Sequence, residues 1–262
     1  MQNITISYIQ APIIWENRSA NRAILESKIE ALSGKTNIVL LPEMFDTGFT
    51  MNPEKLSEPD HARTLDWMQT TARRYGVVLC GSTVAKSQQH FYNRLFWVDE
   101  KGQATYYNKR HLFRMGEEPR HYTAGQEKII IQYQGWNILP LICYDLRFPL
   151  WSANGLRNKK PAYDMLLYVA NWPAARSHVW KALLQARALE NQAYCIGVNR
   201  VGIDGYGLSY SGDSMAFDAK GNTATRSTPY LEHMATFIAK ANELKNFREK
   251  FPVFKDWNNF EV

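Results

Sequence analysis

Ile38-Val39-Leu40-Leu41 runs without a polar residue into Pro42-Glu43-Met44-Phe45. A short wholly apolar run stopped by proline and a carboxylate reads as a strand over 37–41 that is covered on both faces, as in α/β sheets. Its flanks are helical. Upstream, Asn17 stands where a helix would be capped, Leu25, Ile29 and Leu32 recur at i, i+4 and i+7, and Gly34 stops the run. Downstream, Asp60 offers a second cap and Leu65, Met68, Ala72 and Tyr75 share one helical face. A buried strand between two amphipathic helices predicts an α/β domain.

The same rhythm continues outward. Strands are predicted over 4–9, 77–84, 91–98 and 104–107, with a turn at 99–102. In the second half they fall at 129–133, 137–143, 165–170, 194–199, 214–218 and 233–239, the first two of these meeting at Gln134-Gly135. Ser177 would cap a helix carrying Trp180, Leu184 and Ala188, and Leu244, Phe247 and Phe251 mark a last helix ended by Pro252. No linker composition and no short repeat divides the chain. The expectation is one domain over 1–262 with roughly a dozen strands.

Composition narrows the function classes. The chain has 262 residues, 45% apolar and 13% aromatic, enough to build a large core and too apolar for a disordered polymer. Three cysteines are too few for a disulfide scaffold. No run approaches the ~20 apolar residues of a membrane span, and no Lys or Arg precedes Arg18, so neither a membrane anchor nor a secretory leader is expected. A cytoplasmic protein follows. The formal charge is +6, but the basic residues are scattered. Even the richest stretch, 109–128, is interrupted by Glu117, Glu118 and Glu127. Nucleic-acid binding is therefore not expected.

Three ionisable residues follow apolar strands, where α/β folds hold functional groups. Cys143, in Leu141-Ile142-Cys143-Tyr144-Asp145-Leu146-Arg147-Phe148-Pro149, enters a polar turn, where a thiol can react if a base is near. The competing reading is a buried structural cysteine, which fits Cys80 and Cys195 inside their strands. Glu43 stands beside low-dielectric surroundings that suit a general base, or it is an ordinary strand-end carboxylate. Lys109, in Tyr107-Asn108-Lys109-Arg110-His111, could donate to an oxyanion or be a surface lysine. A histidine base, His111 or His178, is the weaker alternative.

Taken together, LPEMF, YNKRHLF and CYDLRFPLW resemble the nitrilase superfamily of carbon–nitrogen hydrolases. The likeness extends through VANWPAARSHVW and RALENQAY to GDSMAFDAKG. The CYDLRFP and KRHLFRM segments are most similar to the omega-amidase, or 2-oxoglutaramate amidase, branch. Tyr144-Asp145 stands where nitrile-hydrolysing members usually carry Trp-Glu, which disfavours a nitrilase.

The resemblance implies an α-β-β-α sandwich, a homodimer and no metal or organic cofactor. It implies a Glu–Lys–Cys catalytic set at Glu43, Lys109 and Cys143, and a second glutamate after the lysine, where Glu118 is preferred to its neighbour Glu117. Lys109 and the Tyr144 backbone N–H would hold the oxyanion of an amide attacked by the thiol. Arg147 would pair with the carboxylate of a 2-oxo acid amide, unless it is a structural partner of Asp145. Trp172 would wall the pocket or belong to the core. Other amides, N-carbamoyl compounds and nitriles are the alternative substrates. Segment 115–122 carries Gly116 and charges that permit closure over a substrate. Phe254, Trp257 and Phe260 would cover a partner subunit or their own core.

Overall fold

The eleven predicted strands, with Thr223–Arg226 as a twelfth, pair into two six-stranded sheets. The computed structural model describes residues 1–56 and 58–258, the side chains of 58–61 excepted. One sheet runs His233–Ala239, Ile4–Gln10, Ile38–Leu40, Val78–Ser87, His90–Val98, Ala104–Asn108. The other runs Ile131–Tyr133, Trp136–Ile142, Met165–Ala170, Tyr194–Asn199, Met215–Phe217, Thr223–Arg226. Their pairing is the same. Each has three adjacent parallel strands in chain order, an antiparallel strand on one side and an antiparallel pair on the other. This repeat spans half the chain and escapes a search for short periods.

Side-chain alternation explains the layering. Ile38, Leu40, Val78, Cys80, Leu95 and Trp97 point between the sheets, into a core shared with Ile138, Ile142, Leu167 and Val169. Their neighbours Val39, Leu41, Leu79, Phe96 and Val98 point outward, against Leu25, Ile29, Met68 and Ala72 of helices Arg18–Leu32 and Glu58–Tyr75. Trp180, Leu184 and Ala188 of helix Ser177–Asn191 and Leu244 of helix Ala241–Lys250 cover the second sheet. The order of layers is α-β-β-α.

Helix boundaries differ from the sequence reading in two places. Asn17 does cap its helix, accepting from Ala20 N. Asp60, however, lies in the first turn of a helix that starts at Glu58. Ser177 is itself the first helical residue, after Arg176, because the short 3₁₀ turn Ala174–Arg176 leads straight into the helix. The hairpins Leu156–Arg157 with Lys160–Pro161 and Val201–Ile203 with Ser209–Ser211 were not expected, and neither was Thr223–Arg226. All are short and half-exposed, with no clear alternation. The terminal segment lies on its own chain. Gln192 donates to the Phe251 carbonyl and accepts from Phe254 N, and the Phe254 and Trp257 rings pack together. Phe260 lies outside the described residues.

Candidate active site

The carboxyl ends of the parallel strands converge. Glu43 follows Ile38–Leu40, Cys143 follows Trp136–Ile142 and Asn171 follows Met165–Ala170. Open α/β sheets hold their reactive groups at this edge. Lys109 joins them from the end of the antiparallel strand Ala104–Asn108, and Glu118 from the loop beyond it. Gly125 makes room for that loop. A Cβ there would lie 2.1 Å from the Asn108 carbonyl, and Gly125 N donates to the Lys109 carbonyl.

Cys143 sits on a strained turn. Its φ is +42°, and Met44, beside Glu43, has φ +43°. Each such left-handed non-glycine residue costs on the order of 1–3 kcal/mol, so its surroundings must hold it. At Cys143 that hold is Asp145, which is fully buried. It accepts from Ile142 N, Tyr107 Oη and His111 N, and pairs with His111 Nδ1 at 2.8 Å. The His111 ring stacks on Phe148 at 3.7 Å. His111 thus braces the turn, and His178 is exposed away from the cavity.

Glu43, Lys109 and Glu118 form one buried cluster. Lys109 Nζ donates to Glu43 Oε1 at 2.8 Å and to Glu118 Oε2 at 2.9 Å. Asn93 Nδ2 bridges the same two carboxylates at 2.7 and 3.1 Å. Phe113 N donates to Glu118. Glu117, the rejected neighbour, is exposed and pairs with Arg120 instead. Across the cluster, Asn171 N donates to Glu43 Oε2 at 2.7 Å and Asn171 Nδ2 to the Glu43 carbonyl. Cys143 Sγ lies 3.8 Å from the Asn171 carbonyl. The Asn171 Oδ1 is buried with no hydrogen-bond partner among the described residues.

Charge counting sets the protonation. Two carboxylates face one ammonium. Burial acts to lower the Lys109 ammonium, but Glu118 and Glu43 outweigh it and hold it above the ordinary lysine range. Burial raises the Glu118 carboxyl and Glu43 adds to the rise, against the pull of Lys109. Burial also pushes the Cys143 thiol well above its ordinary range. Glu43 adds to that, and Lys109 only partly offsets it. The Cys143 thiol is therefore held toward its protonated form beside Glu43, an arrangement in which proton loss and attack would move together.

A cavity of about 570 Å³ opens over Cys143 and Lys109. Tyr144, Arg147 and Trp172 line it, as does Met115, which is 82% exposed at its rim. Trp172 is buried against Trp180 and also lines the cavity. Arg147 makes no ion pair with Asp145. Its guanidinium lies over the Trp172 ring, 5.1 Å from the centroid. Cys80 and Cys195 are fully buried within strands. Sequence reasoning missed Asn93, Asn171 and Arg176. The available signal was an asparagine interrupting or ending an apolar strand.

The carbon–nitrogen hydrolase family model matches residues 5–240. The chain is 40% identical, over the full length of both, to omega-amidase YafV of Escherichia coli (strain K12). It is 31% identical to the 2-oxoglutaramate amidase of Bacillus subtilis (strain 168), covering 96% of each. Among solved structures it superposes, with TM-score 0.97, 38% identity and full coverage of both chains, on a Xanthomonas campestris protein of the same superfamily that carries an arsenic adduct in its active site.

Proposed function

Because this chain belongs to the carbon–nitrogen hydrolase family, we propose that it is an omega-amidase, hydrolysing the terminal amide of 2-oxo acid amides such as 2-oxoglutaramate and 2-oxosuccinamate to the 2-oxo dicarboxylate and ammonia. The observation that carries the reading is the neutral Cys143 thiol held against a buried Glu43–Lys109–Glu118 cluster at the floor of a cavity that also holds Arg147.

Cys143 Sγ attacks the amide carbonyl while Glu43 takes the thiol proton. This fits a thiol too buried to ionise alone. Lys109 and the Tyr144 N–H hold the oxyanion, each such donor being worth about 2.7–4 kcal/mol in the transition state. Asn171 Oδ1, otherwise unpartnered, accepts from the amide nitrogen. Glu43 returns its proton to the departing ammonia. It then activates the water that hydrolyses the thioester. Glu118 fixes Lys109, and Trp172 walls the pocket. Arg147 takes the substrate carboxylate through paired N–H donors. Cytoplasmic location and pairing as a homodimer complete the reading. The first is read from the sequence and the second is implied by the family resemblance, and sedimentation would test the pairing.

Ammonia release from 2-oxoglutaramate, with wild type and Cys143→Ala compared, tests the whole. Fast release by wild type and loss of at least ~10³-fold in the variant is expected, since removing a nucleophile leaves little beyond binding and oxyanion contacts. Turnover by folded Cys143→Ala would overturn it. Inactivity of both would turn attention to N-carbamoyl compounds, nitriles and other amides.

A further inference from the structure

Among the described residues, the other buried or half-buried arginines hold side-chain hydrogen bonds or ion pairs within the protein, Arg22 with Thr64 and Arg94 with Asn108 among them. Arg18 pairs with Asp46, Arg187 with Glu190 and Arg248 with Asp164, and Arg200 donates to backbone carbonyls. Two half-buried arginines differ, and both line the cavity over Cys143: Arg147 and Arg176. Among the described residues neither guanidinium has a hydrogen-bond or ion-pair partner. Each guanidinium instead lies over an aromatic face, Arg147 on Trp172 at 5.1 Å and Arg176 on Phe113 at 5.5 Å. A stacked guanidinium keeps its N–H edge available for an in-plane anion.

The acids around the cavity are engaged elsewhere. Asp204 accepts from Tyr206 N, Leu208 N and Tyr210 Oη. Glu117 pairs with Arg120. Two guanidinium groups therefore face the cavity with no carboxylate paired to them. We propose that Arg176 is a specificity-determining residue, closing with Arg147 a two-guanidinium cradle that holds the substrate carboxylate and restricts the site to anionic amides. This rests on the omega-amidase reading for the reaction and goes beyond it in assigning Arg176.

The cradle is tied to the reacting centre through both platforms. Trp172, under Arg147, donates its indole N–H to the Arg176 carbonyl at 2.9 Å. Phe113, under Arg176, donates its backbone N–H to Glu118, and its ring packs against Tyr144 at 5.1 Å. The carboxylate is thus held at a set distance from Cys143. The cradle selects by chain length as well as charge, favouring an amide and a carboxylate separated by a short linear chain.

The test compares wild type, Arg176→Gln and Arg176→Lys on 2-oxoglutaramate and on pentanamide, a neutral amide of similar length. In parallel, calorimetry measures binding of 2-oxoglutarate to the same proteins, with thermal melting to show that each is folded. Expected for Arg176→Gln is a fall of roughly 10- to 100-fold in the preference for 2-oxoglutaramate, carried mainly by KM, and a matching loss of 2-oxoglutarate affinity. Arg176→Lys should recover part of it, since charge returns without the planar fork. If wild type hydrolyses 2-oxoglutaramate and Arg176→Gln keeps the full preference and affinity, the assignment of Arg176 fails alone. If wild type is inactive but binds 2-oxoglutarate in an Arg176-dependent way, the cradle stands and the amidase reading fails. Failure of both binding and turnover overturns both.

Discussion

Glu43 and Asp46 are three residues apart, both fully buried, and both tied to a basic side chain. Their surroundings separate them. Asp46 accepts from Thr83 at one oxygen and from Thr64 and Arg18 at the other, and its backbone carbonyl accepts from Asn21. This closed network fastens the first helix and the 58–75 helix to the sheet, and it borders no part of the cavity. Glu43 shares its lysine with a second carboxylate and lies beside a thiol that lines the cavity. Each carboxylate has three polar partners, so satisfied oxygens do not separate them. A buried charge paired with its own cation is structural, whereas a buried cluster with one cation too few beside a thiol can move a proton. Burial by itself does not distinguish the two.

Substitution should separate them cleanly. Glu43→Gln is expected to lower kcat by about 10²–10⁴-fold, the usual worth of a positioned general base. The fold should persist, because the amide can keep several of the same contacts. Asp46→Ala should show the opposite pattern. Removing one partner of a buried pair costs about 3–5 kcal/mol of stability, read by denaturant unfolding, while kcat per folded molecule stays near wild type. An Asp46→Ala protein that is stable but inactive would collapse the distinction.

The thiol sharpens the same contrast through pH. With its proton affinity raised by burial and by Glu43, Cys143 is protonated at neutral pH. Inactivation by iodoacetamide, which needs the thiolate, should climb about tenfold per pH unit between pH 7 and 9 without levelling. A plateau at pH 6–7 would show a pre-formed thiolate and remove the need for Glu43 as base. Cys80 and Cys195 are sealed in strands and also pushed upward by burial. Labelling should therefore be confined to one site.

The comparison also marks what the sequence could disclose. Glu43, Lys109 and Cys143 are legible because each follows an apolar strand and stands in a recognisable short segment. The double cover of the sheet is legible because 38–41, 77–80 and 95–98 are wholly apolar, and such strands must be covered on both faces. Asn93 and Asn171 are not. Asparagine in or after a strand has no periodic signature, and its importance comes from which carboxylate lies opposite, a long-range fact. Asp46 is as strong a candidate as Glu43 by position alone, and only the hydroxyls of Thr64 and Thr83 show why it is inert. Arg176 sits in a turn before a helix, where a basic residue looks like solvated surface. The second half of the fold's repeat is hidden because burial can be met by different apolar residues at each matching position.

The smallest expected effect divides two adjacent residues. Glu117 and Glu118 are one peptide bond apart, yet Glu117 takes φ +59° and turns its side chain out to Arg120 while Glu118 turns in to Lys109. Glu117→Gln removes an exposed i,i+3 pair and should change stability by less than about 0.5 kcal/mol. Because it also removes one negative charge at the cavity rim, KM for an anionic substrate should fall slightly, by no more than about twofold, and the gain should vanish as added salt screens the rim. Glu118→Gln withdraws a carboxylate from the Lys109 ammonium, the proposed oxyanion donor, so kcat should fall and added salt should not restore it. If the two variants behaved alike, the left-handed residue at 117 would not be what sorts solvent charge from working charge in this loop.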